Sequence, residues 1–208
     1  MKHFGKLTAL SVTVSLIIFS LCYAQNDLEE SYHKGMDYAI QGKYEKAKKE
    51  FEEALKINSL YPPAKLELRV IEDVVNQRID SKAAVHFFKG TNYENKGLYD
   101  QAISEYTKFI DLNPGYTEAY RSRVRASLAL AHHNQEFAPI NRSLYEQAIS
   151  DFDKIIEMNP GHAKAYGSRG FAYMKLGNTD RACADWKRAC ELGRCASYNI
   201  AARKGMCE

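Results

Sequence analysis

Cysteine is absent from residues 25 to 182, although the chain contains five cysteines in all. Proline and glycine are also scarce, with five and twelve residues among 208, which excludes collagen-like and low-complexity proteins. An excess of one charge is lacking too, because 29 basic residues face 26 acidic ones, so nothing favours binding to nucleic acid or to an acidic membrane. With 45% hydrophobic residues, the chain is expected to form one well-buried domain or one short repeat array.

Long apolar runs are missing except near the N-terminus, where residues 7 to 21 are uncharged and mostly apolar. This run is shorter than the roughly 20 residues of a membrane-spanning helix. A basic start precedes it, and residues 22 to 24 read CYA, with small residues at the two positions that an export peptidase reads. The pattern predicts a signal peptide, residues 1 to 24, cleaved after Ala24, and a periplasmic or secreted protein. The alternatives are a membrane anchor through an uncleaved N-terminus and lipid attachment at Cys22.

A pattern of glycine, tyrosine and alanine recurs three times. Each copy has a glycine, a tyrosine three residues later, a second glycine four beyond that, an alanine five later and an aromatic residue four after the alanine. The three sets are Gly35, Tyr38, Gly42, Ala47 and Phe51; Gly90, Tyr93, Gly97, Ala102 and Tyr106; and Gly170, Tyr173, Gly177, Ala182 and Trp186. The first glycine lets two helices approach closely, and the second permits a turn between them. Each copy is therefore predicted to be an antiparallel helix pair, A and B, that needs a stacked neighbour.

This pattern resembles the tetratricopeptide repeat, whose period is about 34 residues. The resemblance implies an all-α, right-handed solenoid of about three to four repeats plus a C-terminal capping helix. The repeats are placed at residues 28–61, 83–116, 117–162 and 163–195, within a domain that covers residues 25–208.

Two segments depart from the pattern. Residues 64–80 have the apolar spacing of a helix but lack the glycines, so they are predicted to form a spacer helix or a degenerate repeat. The third repeat carries an insertion, residues 131–143, whose polar composition and Pro139 predict a lengthened first helix followed by a loop. His132 and His133 in this insertion point to different faces of a helix and are not expected to bind a metal together.

Four cysteines cluster near the C-terminus: Cys183, Cys190, Cys195 and Cys207. In an exported protein they predict disulfides. Cys183 and Cys190 lie on one helix about 10 Å apart, beyond the roughly 7 Å limit between bridged Cα atoms. A hairpin folded near Gly193 would place Cys190 opposite Cys195 and Cys183 opposite Cys207, so this nested pairing is expected. We interpret residues 183–208 as a disulfide-stapled cap; a four-thiolate zinc site and a redox-active pair are the alternatives, although the cluster contains no C-x-x-C motif.

The resemblance also implies a binding surface, because the first helices of such repeats line a concave groove that holds partners. The residues implied are Tyr32, Met36, Ile40, Phe87, Thr91, Asn95, Arg121, Arg125, Leu128, Lys164, Phe171 and Met174. Arg121 and Arg125 lie four residues apart on one helical face, and with Lys164 they could receive a carboxylate of a partner. The alternative is a solvated charged face beside Glu118.

No catalytic or phosphate-binding motif is recognisable, and no cofactor or metal is expected. The predicted function is a non-catalytic protein-protein interaction scaffold of the cell envelope, with a protein or peptide partner in the groove and without nucleic acid or an integral membrane span. The alternative is a structural subunit of an envelope assembly that uses its convex face or the insertion. Asn141-Arg142-Ser143 fits a glycosylation acceptor, which only a eukaryotic host would use.

Overall fold

The computed structural model describes residues 23–134 and 138–207. The predicted signal peptide lies outside the described residues except for its last two positions, and Cys22, the alternative site of lipid attachment, lies outside them too. In the described ranges the chain is helical and contains no β-strand. Within the same ranges, none of the helices combines the length and the apolar character of a membrane span.

The helices follow one another with short turns between them. The first, α1, is helical from residue 23 to residue 40. The others are α2 (Tyr44–Ile57), α3 (Pro62–Val75), α4 (Ser81–Asn95), α5 (Tyr99–Leu112), α6 (Thr117–His133), α7 (Ala138–Met158), α8 (Ala163–Lys175), α9 (Thr179–Glu191) and α10 (Ala196–Arg203).

The chain forms two compact units, Met1–Phe88 and Lys89–Glu208. In the first unit, α2 packs against α1 and α3. In the second unit, each helix from α5 to α10 packs against the next one along the chain. This is the all-α architecture of helix pairs that the repeats predict, since consecutive helices pack against one another within each unit.

The predicted close approach of helices A and B is present in three pairs. The contacts join Gly35 to Phe51, Gly90 to Tyr106 and Gly170 to Trp186. At each glycine an added Cβ would lie only 2.6 to 2.7 Å from an atom of the aromatic ring. All three aromatic side chains are buried. A glycine is therefore needed at this position for the ring to fit against helix A.

The second glycine of each copy ends helix A in the left-handed region. The φ angle is 72° at Gly42 and Gly97 and 77° at Gly177. In the first copy the N–H of Lys43 donates to the carbonyl oxygen of Tyr38 at 2.9 Å, which closes the turn as a Schellman motif. A residue with a Cβ would be strained there, so the pattern places the turn correctly.

The spacer helix is shorter than predicted. α3 begins at Pro62, whose ring suits a first helical turn, and ends at Val75 rather than at residue 80. Gln77 follows with a left-handed φ of 56°, and Ile79 is buried although it lies outside the helix. Val75, the last residue of α3, is 55% exposed.

The insertion is mostly helical where a loop was predicted. α6 is lengthened and ends at His133, but α7 already begins at Ala138, so residues 138–143 belong to a helix. Pro139 falls in the first turn of α7, where its missing N–H removes no intrahelical hydrogen bond. Residue 134 is a turn, and residues 135–137 lie outside the described part of the chain.

Asn141 fastens α7 to the end of α6. Its side-chain Nδ2 donates to the backbone oxygen of Asn134 at 2.9 Å. His132 and His133 are both exposed, and no cluster of metal-ligating side chains occurs in the described ranges.

Two buried ion pairs that the sequence analysis missed join neighbouring helices of the second unit. Arg123 donates to both carboxylate oxygens of Asp151, at 3.0 and 2.6 Å, and Arg169 does the same to Asp185, at 2.8 and 2.7 Å. The hydrogen bond to Asp185, with a further one to Asp153, raises the pKa of Arg169 above its usual range. Asp151 directly precedes Phe152, and Asp185 directly precedes Trp186, the aromatic residue of its helix B. Each aspartate therefore lies on the side of helix B that faces the preceding helix.

Replacing Gly170 by alanine is expected to lower the free energy of unfolding by about 2 kcal/mol. The added methyl group would lie 2.7 Å from Trp186 Nε1 and 3.0 Å from the backbone oxygen of Ala182, which no side-chain rotation relieves. Urea denaturation followed by circular dichroism measures the change. The matched control is Gly167→Ala in the same helix, where the nearest contact is 3.9 Å away and alanine should raise stability by up to about 1 kcal/mol. Equal losses in the two variants would contradict the role of close approach.

Candidate functional site

Four of the predicted groove residues lie in the protein core. They are Tyr32, Met36, Phe87 and Thr91, with exposures of 3%, 2%, 0% and 5%. The ring of Tyr32 packs 5.7 Å from that of Phe51, and Thr91 accepts a hydrogen bond from the hydroxyl of Tyr106 at 3.3 Å. Assigning these four to a binding surface was wrong, because side chains buried to this extent offer no area to a partner. Ile40 is half-buried in the first unit.

Two more of the predicted groove residues, Met174 and Asn95, do not line the cavities of the second unit. Met174 is half-buried and packs against the cluster formed by Ala182, Trp186, Ala201 and Cys207 at the C-terminal end. Asn95 is exposed at the end of α4 and lines neither of the two cavities described next.

The remaining predicted residues meet on one surface of the second unit. A cavity of about 230 Å³ lies between α6 and α8, with Phe152 and Ile155 of α7 as its buried floor. A second cavity, of about 480 Å³, lies between α8 and the turn that joins α9 to α10. Leu128, Lys164 and Ser168 line both, so the two cavities form one continuous surface, the α6–α8 groove.

Helical spacing places the predicted residues on this surface. Arg121, Arg125 and Leu128 follow one another at intervals of four and three residues, so α6 presents them on one face. Lys164 and Phe171 are two turns apart on α8. At the start of α8, His162 caps the helix, since its Nδ1 accepts the backbone N–H of Ala165 at 3.1 Å. This cap fixes the turn from which Lys164 projects.

The positive charges of the groove differ in how far they are compensated. Arg121 donates to both carboxylate oxygens of Glu118 at 2.9 Å, and Arg125 pairs with Glu94, with Nη2 at 2.8 Å from Oε2. Lys164 is exposed and forms no ion pair with any residue that the structure describes. No aspartate or glutamate is among the lining residues of either cavity. Lys164, at the junction of the two cavities, is therefore a cation that an incoming carboxylate can bind without displacing another carboxylate.

The groove also has an apolar wall. Leu128 is half-buried, and Phe171 is 48% exposed although it is a large aromatic side chain. The Nζ of Lys175 lies 5.3 Å from the centre of the Phe171 ring. An apolar side chain that covers Phe171 would gain roughly 25 cal/mol for each Å² removed from water. The surface therefore suits a ligand that combines an apolar side chain with a negative charge.

Models of the tetratricopeptide repeat family match three segments of the chain. The matched residues are 28–61, 83–116 and 152–184. The chain is a tetratricopeptide repeat protein. The first two matches begin at α1 and α4 and each cover one helix pair, whereas the third runs from α7 through α8 into α9. No curated protein matches this tetratricopeptide repeat protein.

Several solved structures are similar to this tetratricopeptide repeat protein. The first tetratricopeptide domain of Spaghetti (RPAP3), bound to the HSP90 peptide SRMEEVD, is 28% identical over 62% of this chain and 93% of that one, with a TM-score of 0.47. The Arabidopsis OM64 tetratricopeptide domain is 26% identical over 60% and 93%, with a TM-score of 0.46. The protein TTC0263 of Thermus thermophilus is 22% identical over 84% and 82%, with a TM-score of 0.48.

The last helix pair of this tetratricopeptide repeat protein is closed by α10 and two disulfides. The bridges are Cys183–Cys207 and Cys190–Cys195, which is the nested pairing that the sequence predicts. The Cα atoms of the first bridge are 5.5 Å apart. α10 packs against α9, and its Ala201 joins the cluster around Trp186. A terminal pair has no neighbour on its outer side, and these contacts cover it.

Proposed function

We propose that the protein is a non-catalytic protein-interaction scaffold whose α6–α8 groove holds a segment of a partner protein. Tetratricopeptide repeats are in general a non-catalytic fold for protein interaction, and the family matches support that class. One observation carries the choice of site: the groove joins an uncompensated cation, Lys164, to the apolar surface of Leu128 and Phe171. This combination favours an extended segment with a carboxylate and an apolar side chain.

The two arginines of α6 have a smaller role than the sequence suggests. Arg121 and Arg125 flank the smaller cavity, but each already holds a carboxylate, that of Glu118 or Glu94. A ligand carboxylate gains little from displacing an equivalent group on an exposed arginine. Lys164 has no such competitor among the described residues, so we assign the principal ionic contact to it.

We place this scaffold in the periplasm or outside the cell. Two disulfides favour an oxidising compartment, and residues 1 to 24 have the pattern of an export signal. A structural subunit of an envelope assembly that uses its convex face or residues 131–143 is the alternative role. Substitutions in the groove would leave such an assembly intact.

Replacing Lys164 by alanine is expected to weaken the binding of a groove ligand about tenfold, since a charge-assisted hydrogen bond to a carboxylate is lost. The ligand is selected with the full chain from a library of short synthetic peptides that have free C-terminal carboxylates. The protein for this measurement is purified from its native host. Its intact mass shows whether the chain begins at Gln25, as cleavage of the predicted signal peptide after Ala24 requires. Affinity is then measured by fluorescence anisotropy.

The matched control is Lys187→Ala, which removes an exposed lysine of α9 that lines neither cavity. Its affinity should stay within about twofold of wild type, since a remote surface charge contributes little. Failure to select any peptide, or equal affinities of the two lysine variants, would remove the groove as the binding site and favour the structural role.

A further inference from the structure

The turn that joins α9 to α10 forms one wall of the larger cavity. Five consecutive residues of this segment line it: Gly193, Arg194, Cys195, Ala196 and Ser197. We call residues 193–197 the cap turn. It was predicted only as part of a staple for the last helix pair, whereas in the structure it faces the same cavity as Lys164 and Phe171 of α8.

Arg194 brings a second uncompensated cation to this cavity. Its side chain is exposed and forms no ion pair or hydrogen bond with any residue in the described ranges. Other arginines of the second unit hold carboxylates, namely Arg121, Arg123, Arg125, Arg169 and Arg188. Since no acidic residue lines the cavity, Arg194 and Lys164 give it a charge that is complementary to an anionic group.

The Cys190–Cys195 bridge restricts the backbone from which Arg194 projects. The bridge spans a sequence separation of 5, and Arg194 lies inside the loop that it closes. Within the loop, Gly193 takes a φ of 91°, and the N–H of Arg194 donates to the carbonyl oxygen of Ala189 at 2.8 Å. A closed loop of this size has few conformations, so less conformational entropy is lost when its side chain engages a ligand.

We propose that Arg194 and Lys164 together bind a carboxylate of the partner segment, and that the Cys190–Cys195 bridge positions Arg194 for this contact. The proposal rests on the proposed function of the groove. The occupant is an acidic peptide segment whose apolar side chain covers Leu128 and Phe171. Binding is accordingly tighter in the oxidised chain than in a chain with this bridge reduced.

Reduction acts through ordinary thiol–disulfide exchange. A dithiol attacks one sulfur of the bridge, and its second thiolate releases the mixed disulfide. The Cys190–Cys195 bond takes up two electrons and two protons and becomes two thiols, while the dithiol becomes a disulfide. Cys195 lines the cavity and both cysteines are only half-buried, so the bridge is accessible to such a reagent.

The first test replaces the cation of the cap turn, Arg194. The peptide selected in the experiment above is titrated against the full chain, and binding is followed by the emission of Trp186, the only tryptophan. Trp186 reports on this cavity because its Nε1 donates to the backbone oxygen of Gly167, a lining residue, at 3.1 Å. Arg194→Ala is expected to weaken binding about tenfold and to reduce its dependence on salt concentration. Arg194→Lys should restore part of the affinity.

Arg203→Ala is the matched control, because Arg203 is an exposed arginine of α10 that lines neither cavity. Its affinity should stay within about twofold of wild type. The change in salt dependence separates direct contact from a loss of structure, since disordering the cap turn alone would not remove a charge. A selected peptide that binds equally well as an amide without any acidic side chain would overturn the proposal.

The second test opens the bridge. Cys190→Ala/Cys195→Ala, and wild type treated with a dithiol, are expected to bind the peptide about three- to tenfold more weakly than the oxidised chain. Cys183→Ala/Cys207→Ala, measured well below its unfolding temperature, should stay within about twofold because neither cysteine lines the cavity. Circular dichroism verifies that the bridge variants are folded. If one of them is not, Arg194→Ala still tests the site, because it retains both bridges.

The outcomes separate this proposal from that of the groove. If Arg194→Ala binds like Arg203→Ala, the cap turn is not part of the site. If the open-bridge variant binds like wild type, the bridge does not position Arg194. Lys164→Ala would still weaken binding in either case, and the groove would stand. If Lys164→Ala has no effect either, both proposals fail together.

Discussion

Replacing Asp151 by alanine is expected to lower the free energy of unfolding by about 3 to 5 kcal/mol. The carboxylate is 1% exposed and accepts two hydrogen bonds from Arg123, whose side chain is 12% exposed. Burial raises the pKa of Asp151 above its ordinary value even though Arg123 is beside it, so the charged form is costly at this position. Among the described residues, removing the aspartate leaves the guanidinium with one remaining bond, from Nη1 to Thr107 Oγ1 at 2.9 Å, and with no counter-ion in contact.

The control for this variant is Asp153→Ala, two residues along the same helix. Asp153 also pairs with an arginine, Arg169, but its side chain is 53% exposed. Water replaces a lost partner there, so the expected loss is about 1 kcal/mol or less. Urea denaturation of both variants gives the comparison, and the double variant Arg123→Met/Asp151→Leu should recover most of the loss. Similar losses for Asp151→Ala and Asp153→Ala would show that burial of the pair is not what matters.

The helix pairs were predictable because their requirements are local. A glycine under an aromatic ring and a glycine at positive φ are each enforced by atoms a few ångströms away, as at Gly170 and Gly177. The end of α3 was not predictable in this way. Gln77 takes a left-handed conformation that glycine or asparagine usually marks, so its sequence carries no signal of the break. At Pro139 the error was the opposite one, because a helix was taken for a loop. A proline in a first turn is compatible with a helix.

The candidate site was predictable only in part. Helical spacing placed Arg121, Arg125 and Leu128 on one face of α6, and all three line one cavity. Spacing within one helix does not tell which face a neighbouring helix covers, and for this reason Tyr32 and Phe87 were assigned to the surface although they are buried.

Charge compensation was beyond sequence reasoning for a similar reason. Glu94, the partner of Arg125, lies 31 residues away in the chain and on another helix. The face of the cap turn that lines the groove depends on how α10 folds back from Gly193, which the cysteine spacing predicts only as a hairpin.

Removing the Cys183–Cys207 bridge is expected to lower the free energy of unfolding by about 3 kcal/mol, because the bridge closes a loop with a sequence separation of 24. α10 has only eight residues, too few to be stable as an isolated helix. Its attachment depends on this bridge and on the cluster that Ala201 and Cys207 form with Ala182 and Trp186. Without the bridge, the packing of this cluster still holds α10 against α9, and the cap turn keeps its own Cys190–Cys195 bridge.

The variant Cys183→Ala/Cys207→Ala tests this, with urea denaturation followed by the emission of Trp186. Cys190→Ala/Cys195→Ala is the matched comparison, since it also removes one bridge but opens a loop with a separation of only 5, for which chain entropy predicts about 2 kcal/mol. Chain entropy therefore predicts that the longer loop contributes more to stability than the shorter one. A larger loss of stability from the shorter loop would contradict this prediction, because loop entropy cannot produce that order.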